Sequence, residues 1–294
     1  MLAGSKNSQK RCYSQMKDYM AEKIQSLPEF NLADSKERCR KIRRRILEIS
    51  QLHGAIHIGG AFSCLEMVDV IHHGFMRRTH EGDFHDSFIL SKGHGCMVLF
   101  VILEQLGILP SEDIEKYCTA GGRLGMHPDR GTPGIITSTG SLGHGLGMGA
   151  GLALYEKVSK GDRDIYVVMS DGELQEGSVW EIFLQAPALK LNHLIGIVDY
   201  NNMQSMDFTT NTHPNFYPIV EKAIAFGWEA VEVDAHNQEA IFKAITSRSR
   251  KKPFLLVGKS VKGKGVSYME NKPIWHYRSP NKDEFKQAME ELSD

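Results

Sequence analysis

An acidic residue and an amide residue lie where two short apolar runs end. Residues 165–169 have the pattern of a buried strand, and Asp171 and Gly172 follow this run after a single serine. Asn201 follows a second apolar run at residues 194–198. Carboxylate and amide oxygens suit a hard cation such as Mg²⁺, whose other positions are filled by phosphate oxygens and water. The two runs therefore predict a magnesium and diphosphate site.

The chain between the two runs must bring these residues together. Ser178 and Glu181 have capping-box spacing and predict the start of a helix, which gives a strand–helix–strand unit. Such units are right-handed, so Asp171 and Asn201 should meet above one edge of a parallel sheet. Gly172 lets the backbone approach an anion closely. For the Asp-Gly pair alone, an ordinary turn at a strand end is the alternative.

Short β-type runs alternate with helical patterns along the rest of the chain. Apolar Ile42, Ile46 and Ile49 predict a helix over residues 39–52, and Ser63 with Glu66 has the spacing of a capping box that starts another. The predicted strands are residues 87–90, 165–169, 194–198, 230–233 and 254–257. This alternation predicts an α/β fold, with a mostly parallel central sheet flanked by helices on both faces.

Glycine is dense in the segment that precedes the first metal-site strand. A predicted helix there carries glycine at positions 143, 145, 147, 149 and 151, although each helical glycine costs about 1 kcal/mol against alanine. Either the helix lies against a backbone or a ligand, or it makes a tight contact with another helix. The pattern Gly145-x-Gly147-x-x-Ala150 imitates a dinucleotide fingerprint, but no strong strand precedes it. We therefore reject a dinucleotide site.

Composition limits the class of protein. The chain has 294 residues and a net charge of −1, which fits one large domain, and we divide it into an N-terminal helical extension (1–38) and a binding domain (39–294). The extension is basic but contains acidic residues, so we expect a solvated helix and no nucleic acid. The longest apolar run, residues 97–103, is too short to cross a membrane. Five cysteines without metal-type spacing indicate a reducing compartment, by default the cytoplasm.

Two motifs give the metal-site residues a family context. SDGELQEG (170–177) followed by DYNNMQ (199–204) resembles the thiamine diphosphate motif in its transketolase form. The resemblance implies Mg²⁺ ligands and a cofactor-binding loop. The implied ligands are Asp171, Asn201 and the carbonyl of Met203, and the implied loop residues are Gly172 and Glu173. Ser170 stands where the family usually has glycine, which leaves the loop geometry open.

Further segments carry the same resemblance. STGSLGHGLGMGAG (138–151) is similar to the transketolase segment that holds the aminopyrimidine, which implies Gly140, Ser141 and Leu142 in cofactor binding. His144 replaces a common glutamine there. KSVKGKGVSYMEN (259–271) also matches the family closely. The resemblance extends from about residue 42 to residue 277.

Four of the thirteen histidines stand out by context. His57 lies in His-Ile-Gly-Gly, His94 in Ser-Lys-Gly-His-Gly, His127 in Gly-Met-His-Pro and His276 in Trp-His. The transketolase resemblance implies that His57, His127 and His276 are catalytic residues at the sugar hydroxyls. It places His94 at the cofactor and His276 at both. Because imidazole titrates near neutral pH, we expect these side chains to shuttle protons. Ile58 and Tyr277, in place of proline and glycine, leave the sugar open.

In the family, a pyrimidine domain that follows in sequence supplies the glutamate that activates the cofactor, and this chain stops before it. The resemblance thus implies one half of a split transketolase, which transfers a two-carbon ketol unit between sugars, with a partner subunit that carries the pyrimidine and C-terminal domains. We expect phosphorylated or similarly anionic sugars and a dimer of heterodimers. The alternatives are a related thiamine enzyme that acts on a 2-oxo acid, and a non-catalytic binding subunit.

Overall fold

The structure is a computed structural model that describes residues 24–27, 29–54, 56–205 and 207–293. Its first long helix, α1 (Leu32–Leu52), begins where the Asn31 side chain accepts hydrogen bonds from the N–H groups of Ala33 and Asp34. The predicted apolar stripe of α1 is buried. The boundary that we place between residues 38 and 39 falls inside α1, and residues 1–23 lie outside the described part of the chain, so the division stays a prediction.

The centre of the fold is a five-stranded sheet in the order β1-β2-β3-β7-β6, and every neighbouring pair is parallel. All five predicted strands belong to it. A two-stranded antiparallel ribbon, β4 with β5, follows the third strand. The strands are β1 (Ser87–Leu90), β2 (Ile165–Ser170), β3 (Leu194–Tyr200), β4 (Met203–Gln204), β5 (Asp207–Phe208), β6 (Glu229–Asp234) and β7 (Phe254–Lys259).

Helices cover both faces of the sheet, as the alternation predicts. After α1 they are α2 (Ile58–Ser63), α3 (Leu65–Gly74), α4 (Cys96–Gln105), α5 (Ser111–Glu115), α6 (Gly145–Ser159), α7 (Gly177–Ala188), α8 (Thr209–Thr212), α9 (Ile219–Phe226), α10 (Gln238–Thr246) and α11 (Lys282–Glu291). Within the described ranges no helix is both long enough and apolar enough to cross a membrane.

Two hydrophobic cores lie on opposite faces of the sheet, because successive side chains of a strand point to opposite faces. Tyr166 and Val168 of β2 belong to the core that includes α1, α3 and α4. Ile165 and Val167 of the same strand belong to the core that includes α6, α7 and α9. With both faces buried, the polar groups that follow the strands gather at the sheet's carboxyl edge.

Both predicted capping boxes are wrong, because the two serine hydroxyls hydrogen-bond to groups elsewhere in the fold and do not cap their helices. The Ser63 hydroxyl donates to Asp199 (2.5 Å), and helix α3 begins after Cys64 without a side-chain cap. The Ser178 hydroxyl donates to the carbonyl of Gly143 (2.9 Å), and α7 also begins without a side-chain cap. Ser63 therefore ties α2 to β3, and Ser178 ties α7 to the segment before α6, at the carboxyl edge of the sheet.

Candidate active site

The strand register brings the two metal-site motifs together. Ser170 at the end of β2 pairs with Asp199 near the end of β3, and the Asp171 N–H donates to the Asp199 carbonyl (3.2 Å). A cleft of about 650 Å³ opens above this edge. It is lined by Gly60, Lys92, His94, Leu142, Ser170, Gly172, Gln175, Glu176, Asn201, Met203, Gln204, Ser205, Asp207, Lys262 and His276. Residues from both motifs and two of the four singled-out histidines thus share one cavity.

Asp171 is fully buried, and its two carboxylate oxygens have different partners. Oδ1 accepts a hydrogen bond from the N–H of Gly172 (3.0 Å). Oδ2 accepts from the N–H of Asn202 and from the hydroxyl of Tyr217, both at 2.7 Å. Burial raises the pKa of the Asp171 carboxyl to about 7, against the opposing effect of the Tyr217 hydrogen bond. A cation beside this carboxylate would favour its charged form.

The amide of Asn201 has a fixed orientation. Its Nδ2 donates to Asp199 Oδ2 (3.2 Å) and to the Ser63 hydroxyl (3.4 Å), while its Oδ1 accepts from the N–H of Met203 (3.0 Å). The carbonyl oxygen of Met203 lies 3.5 Å from the position that a Cβ on Gly172 would occupy. The three implied ligand residues therefore lie around one loop-to-loop contact, and they offer a carboxylate, an amide oxygen and a backbone carbonyl.

A buried ion pair underlies this edge, and we did not predict it from the sequence. Lys92 and Asp199 are fully buried and paired, and Lys92 also donates to the carbonyl of Gly60 (2.8 Å). Asp199 in addition accepts hydrogen bonds from Ser63 and Ser260. The network connects the segment that follows His57 to the end of β3. In the sequence, the two residues stood out only as members of the motifs Ser-Lys-Gly-His and Asp-Tyr-Asn-Asn.

Lys262 is a second residue that sequence reasoning missed. Its side chain is buried and lines the cleft, and Nζ lies 2.8 Å from Nδ1 of His276. Burial, together with the positive charge of Lys92, lowers the pKa of Lys262 to about 8. A positive charge in the cleft suits a diphosphate. From the sequence, the segment KSVKGKG indicated only a family resemblance.

Three of the four histidines form a cluster. The ring centroids of His57, His94 and His276 lie 5.2 to 5.5 Å apart in all three pairs. Gly59 allows this approach, because a Cβ there would lie 2.9 Å from the carbonyl oxygen of Trp275. The Tyr277 ring packs 4.5 Å from that of His57 and remains largely exposed.

The fourth histidine, His127, lies against the glycine segment instead. Its ring carbons would be 3.3 Å from a Cβ on Gly140. Of the three residues implied at the aminopyrimidine, Leu142 lines the cleft, Gly140 is partly buried and Ser141 is exposed. His127 therefore joins the site through this segment, outside the cluster of three.

We expected the clustered histidines to titrate near neutral pH, but their pKa values lie below that range. Burial lowers the pKa of His57 to about 4 and that of His276 to about 3, and it lowers the pKa of His94 well below its ordinary value. The neighbouring lysines contribute to all three shifts. Their imidazoles are therefore neutral at physiological pH, and each can donate one hydrogen bond and accept another.

Glu173 faces into the protein. Its carboxylate accepts hydrogen bonds from the Ser91 hydroxyl and from the N–H of Gly143 (2.9 Å), and the side chain is fully buried. Gly143 has a φ of +83°, and a Cβ there would lie 2.6 Å from that of Glu176. Glu173 therefore holds the glycine segment in place. The unusual Ser170 caps the same turn, because its hydroxyl accepts from the Glu173 N–H (3.1 Å).

The glycine-rich helix α6 packs on the sheet. A Cβ on Gly149 would lie 2.5 Å from Cγ2 of Val167, so the lack of a side chain permits a close helix–strand contact. Gly151 has no such neighbour, since nothing lies within 4 Å of its Cβ position. The close partner of Gly149 is thus a strand side chain. Elsewhere in the segment, a Cβ on Gly143 would lie 2.7 Å from Oγ of Ser178 in α7, and one on Gly145 would lie 3.0 Å from the backbone Cα of Ser91, so helix and backbone contacts are also present. His144 is exposed at the start of this helix.

Comparisons with known proteins agree with this geometry. Residues 35–293 match the family model "Transketolase, thiamine diphosphate binding domain". The chain is 36% identical over 259 residues to one subunit of the apulose-4-phosphate transketolase of Phocaeicola vulgatus, a match that covers 86% of this chain and 92% of that relative. It is 34% identical over 265 residues to a 6-deoxy-6-sulfo-D-fructose transketolase subunit of a Clostridium species, with coverage of 88% and 96%.

A solved structure gives the same result. The transketolase of Campylobacter jejuni superimposes with a TM-score of 0.82 at 25% identity, over 90% of this chain and 43% of that one. The chain therefore spans less than half of the solved transketolase, but nearly all of the two subunit relatives. From the family match, the subunit relatives and the shared fold, we conclude that this chain belongs to the transketolase family, of which it carries the thiamine diphosphate binding domain.

Proposed function

We propose that this chain is the diphosphate-binding subunit of a two-component transketolase, which transfers a two-carbon ketol unit from a ketose to an aldose. The observation that carries the proposal is a single cleft. Its lining contains Asn201, Met203, Lys262, His94 and His276, the buried Asp171 carboxylate accepts from the lining residue Gly172, and His57 packs against both lining histidines. Thiamine diphosphate supplies, when bound, a nucleophilic carbon for the ketose carbonyl.

The oxygen donors fit Mg²⁺. One carboxylate, one amide oxygen and one backbone carbonyl make a hard, incomplete donor set, and diphosphate oxygens and water would complete the octahedron. Asp171, Asn201 and the Met203 carbonyl hold the ion in this proposal. The Gly172 backbone and the Lys262 ammonium lie along the cleft where the diphosphate would bind. Glu173 acts on the cofactor indirectly, through Gly143.

The histidines hold the sugar. His57, His127 and His276 hydrogen-bond substrate hydroxyls, and His94 and His276 also contact the cofactor. A neutral imidazole is suited to this task, because it can accept a hydroxyl proton at one nitrogen while it donates from the other. Lys262 lies beside His276 Nδ1, and its ammonium would favour the tautomer with the proton on Nε2.

A partner subunit completes the enzyme. The two subunit relatives bear names of transketolases for apulose-4-phosphate and for 6-deoxy-6-sulfo-D-fructose. We propose that a pyrimidine-domain and C-terminal-domain subunit supplies the activating glutamate and the groups that bind an anionic sugar, within a dimer of heterodimers. We also propose a cytoplasmic location, which the free thiols of Cys39, Cys64, Cys96 and Cys118 support.

Calorimetric titration of thiamine diphosphate tests the proposal. We expect Mg²⁺-dependent binding to the chain, tighter binding when the partner subunit is added, and no metal dependence in Asp171→Ala. Mixtures of both subunits should then transfer a ketol unit without release of CO₂. Release of CO₂ from a 2-oxo acid would reject the transketolase assignment, and a lack of cofactor binding even with the partner would reject the site.

A further inference from the structure

Tyr217 contacts the metal-site carboxylate from outside both cofactor motifs. It lies 46 residues after Asp171, and its hydroxyl donates to Oδ2 of that carboxylate at 2.7 Å. The Asn202 N–H donates to the same oxygen, also at 2.7 Å. A carboxylate oxygen has about two lone-pair sites, so these two donors saturate Oδ2. Oδ1, which among the described residues accepts only from Gly172, keeps one site open.

The Tyr217 ring is held in place by its neighbours. It stacks on Tyr200, with centroids 4.5 Å apart and planes 15° from parallel, and it meets Phe216 edge-on at 5.3 Å. Tyr200 is the last residue of β3, which directly precedes the ligand Asn201. The position of the hydroxyl is thus fixed relative to the strand end that carries the metal site, and its direction does not depend on a mobile side chain.

We propose that Tyr217 is a positioning residue for the metal, whose hydroxyl occupies Asp171 Oδ2 and leaves Oδ1 as the single carboxylate oxygen open to the ion. The inference rests on the proposed function and deepens it. Tyr217 does not itself touch the ion.

One-oxygen coordination has a consequence for which cation binds. Mg²⁺ requires a near-ideal octahedron, whereas Ca²⁺ accepts more ligands and often takes both oxygens of one carboxylate. A donor that saturates Oδ2 therefore disfavours the two-oxygen mode that suits Ca²⁺. Without the hydroxyl, one lone-pair site on Oδ2 becomes free and the carboxylate can rotate. The structure thus assigns Tyr217 a role in discrimination between Mg²⁺ and Ca²⁺.

The test compares Tyr217→Phe with Tyr200→Phe in the full chain, with the partner subunit present. Both variants lose one hydroxyl from the same stacked pair, but only Tyr217 donates to Asp171. Calorimetry measures the affinity for Mg²⁺ and for Ca²⁺ in the presence of thiamine diphosphate. We expect Tyr217→Phe to lose about tenfold in Mg²⁺ affinity, typical of a residue that orients a metal ligand, and clearly less in Ca²⁺ affinity. Tyr200→Phe should keep the wild-type ratio of the two affinities.

An unchanged ratio of the two affinities in Tyr217→Phe would overturn the proposal, whether neither affinity changes or both fall equally, since an equal loss indicates a general weakening of the site. Thermal unfolding without cofactor checks that both variants fold. If the wild-type pair of subunits shows no metal-dependent cofactor binding, the proposed function fails and this inference fails with it. Wild-type binding with an unchanged variant ratio rejects only the role of Tyr217.

Discussion

Replacing Asp171 by asparagine should remove a pH-dependent loss of stability from the chain when no Mg²⁺ or cofactor is added. Burial raises the pKa of this carboxyl from its ordinary value of 3.8 to about 7 in the folded protein. Between these two values the folded state binds the proton more tightly than the unfolded state does. The free energy of unfolding therefore falls as the pH rises through this window. Asparagine has nearly the same shape and does not titrate.

The size of the effect follows from the shift. Each pKa unit corresponds to about 1.36 kcal/mol, so a rise from about pH 5 to about pH 8 removes roughly 3 kcal/mol through this one group. At an unfolding entropy of about 2.1 cal/mol/K per residue, that free energy corresponds to a change in Tm of roughly 5 °C for a protein of this size. Asp171→Asn should show no such contribution. Its stability relative to wild type should therefore increase by this amount across the same pH range.

Scanning calorimetry or urea unfolding of both proteins across this pH range measures the difference. Titration of the other groups is common to both proteins and largely cancels. Addition of Mg²⁺ with thiamine diphosphate at the alkaline end should stabilise the wild type and leave Asp171→Asn unchanged, because the ion favours the charged carboxylate. A stability difference that stays constant with pH would refute the reasoning.

Three further predictions concern the glycines of helix α6, Lys262 and His127. Gly149→Ala should destabilise the isolated chain by about 1–3 kcal/mol, because the new Cβ would lie 2.5 Å from Val167, whereas Gly151→Ala should stabilise it by up to about 1 kcal/mol; urea unfolding measures both. Cofactor affinity should fall as the pH rises through 8, where burial places the pKa of Lys262, and calorimetry should find no such fall in Lys262→Met. His127→Asn should lower turnover by about a hundredfold or more and should change the calorimetric cofactor affinity far less than Asp171→Ala does, since Asp171 would hold the metal whereas His127 lies against Gly140.

The fold was predictable from the sequence because local composition determines its main elements. Four strands of the large sheet are short apolar runs, β6 mixes apolar with acidic residues, and α1 shows its buried stripe directly. The capping boxes failed for a physical reason. Ser63 and Ser178 donate to groups more than thirty residues away, and such partners cannot be read from local spacing.

The site was predictable where the chemistry lies in contiguous motifs. Asp171 and Asn201 are examples, because parallel pairing of consecutive strands brings their ends together. The ion pair of Lys92 with Asp199 joins residues 107 positions apart, and the histidine pKa values depend on burial, which no motif encodes. Tyr217 was missed for the same reason. Its contact with Asp171 depends on the path of the chain after β5, which the sequence does not show.

The pairing of Ser170 with Asp199 makes ligand binding a property of the whole sheet. The donor groups follow directly from this register at the centre of the sheet, and a slip by one residue would turn the side chains of one strand to the opposite face. A partly folded chain that lacks this pairing therefore cannot assemble the donors. Bound cofactor should stabilise the protein against global unfolding as well as against local loop opening. Bound cofactor should therefore slow amide hydrogen exchange even at the slowest amides of β2 and β3, far from the cleft.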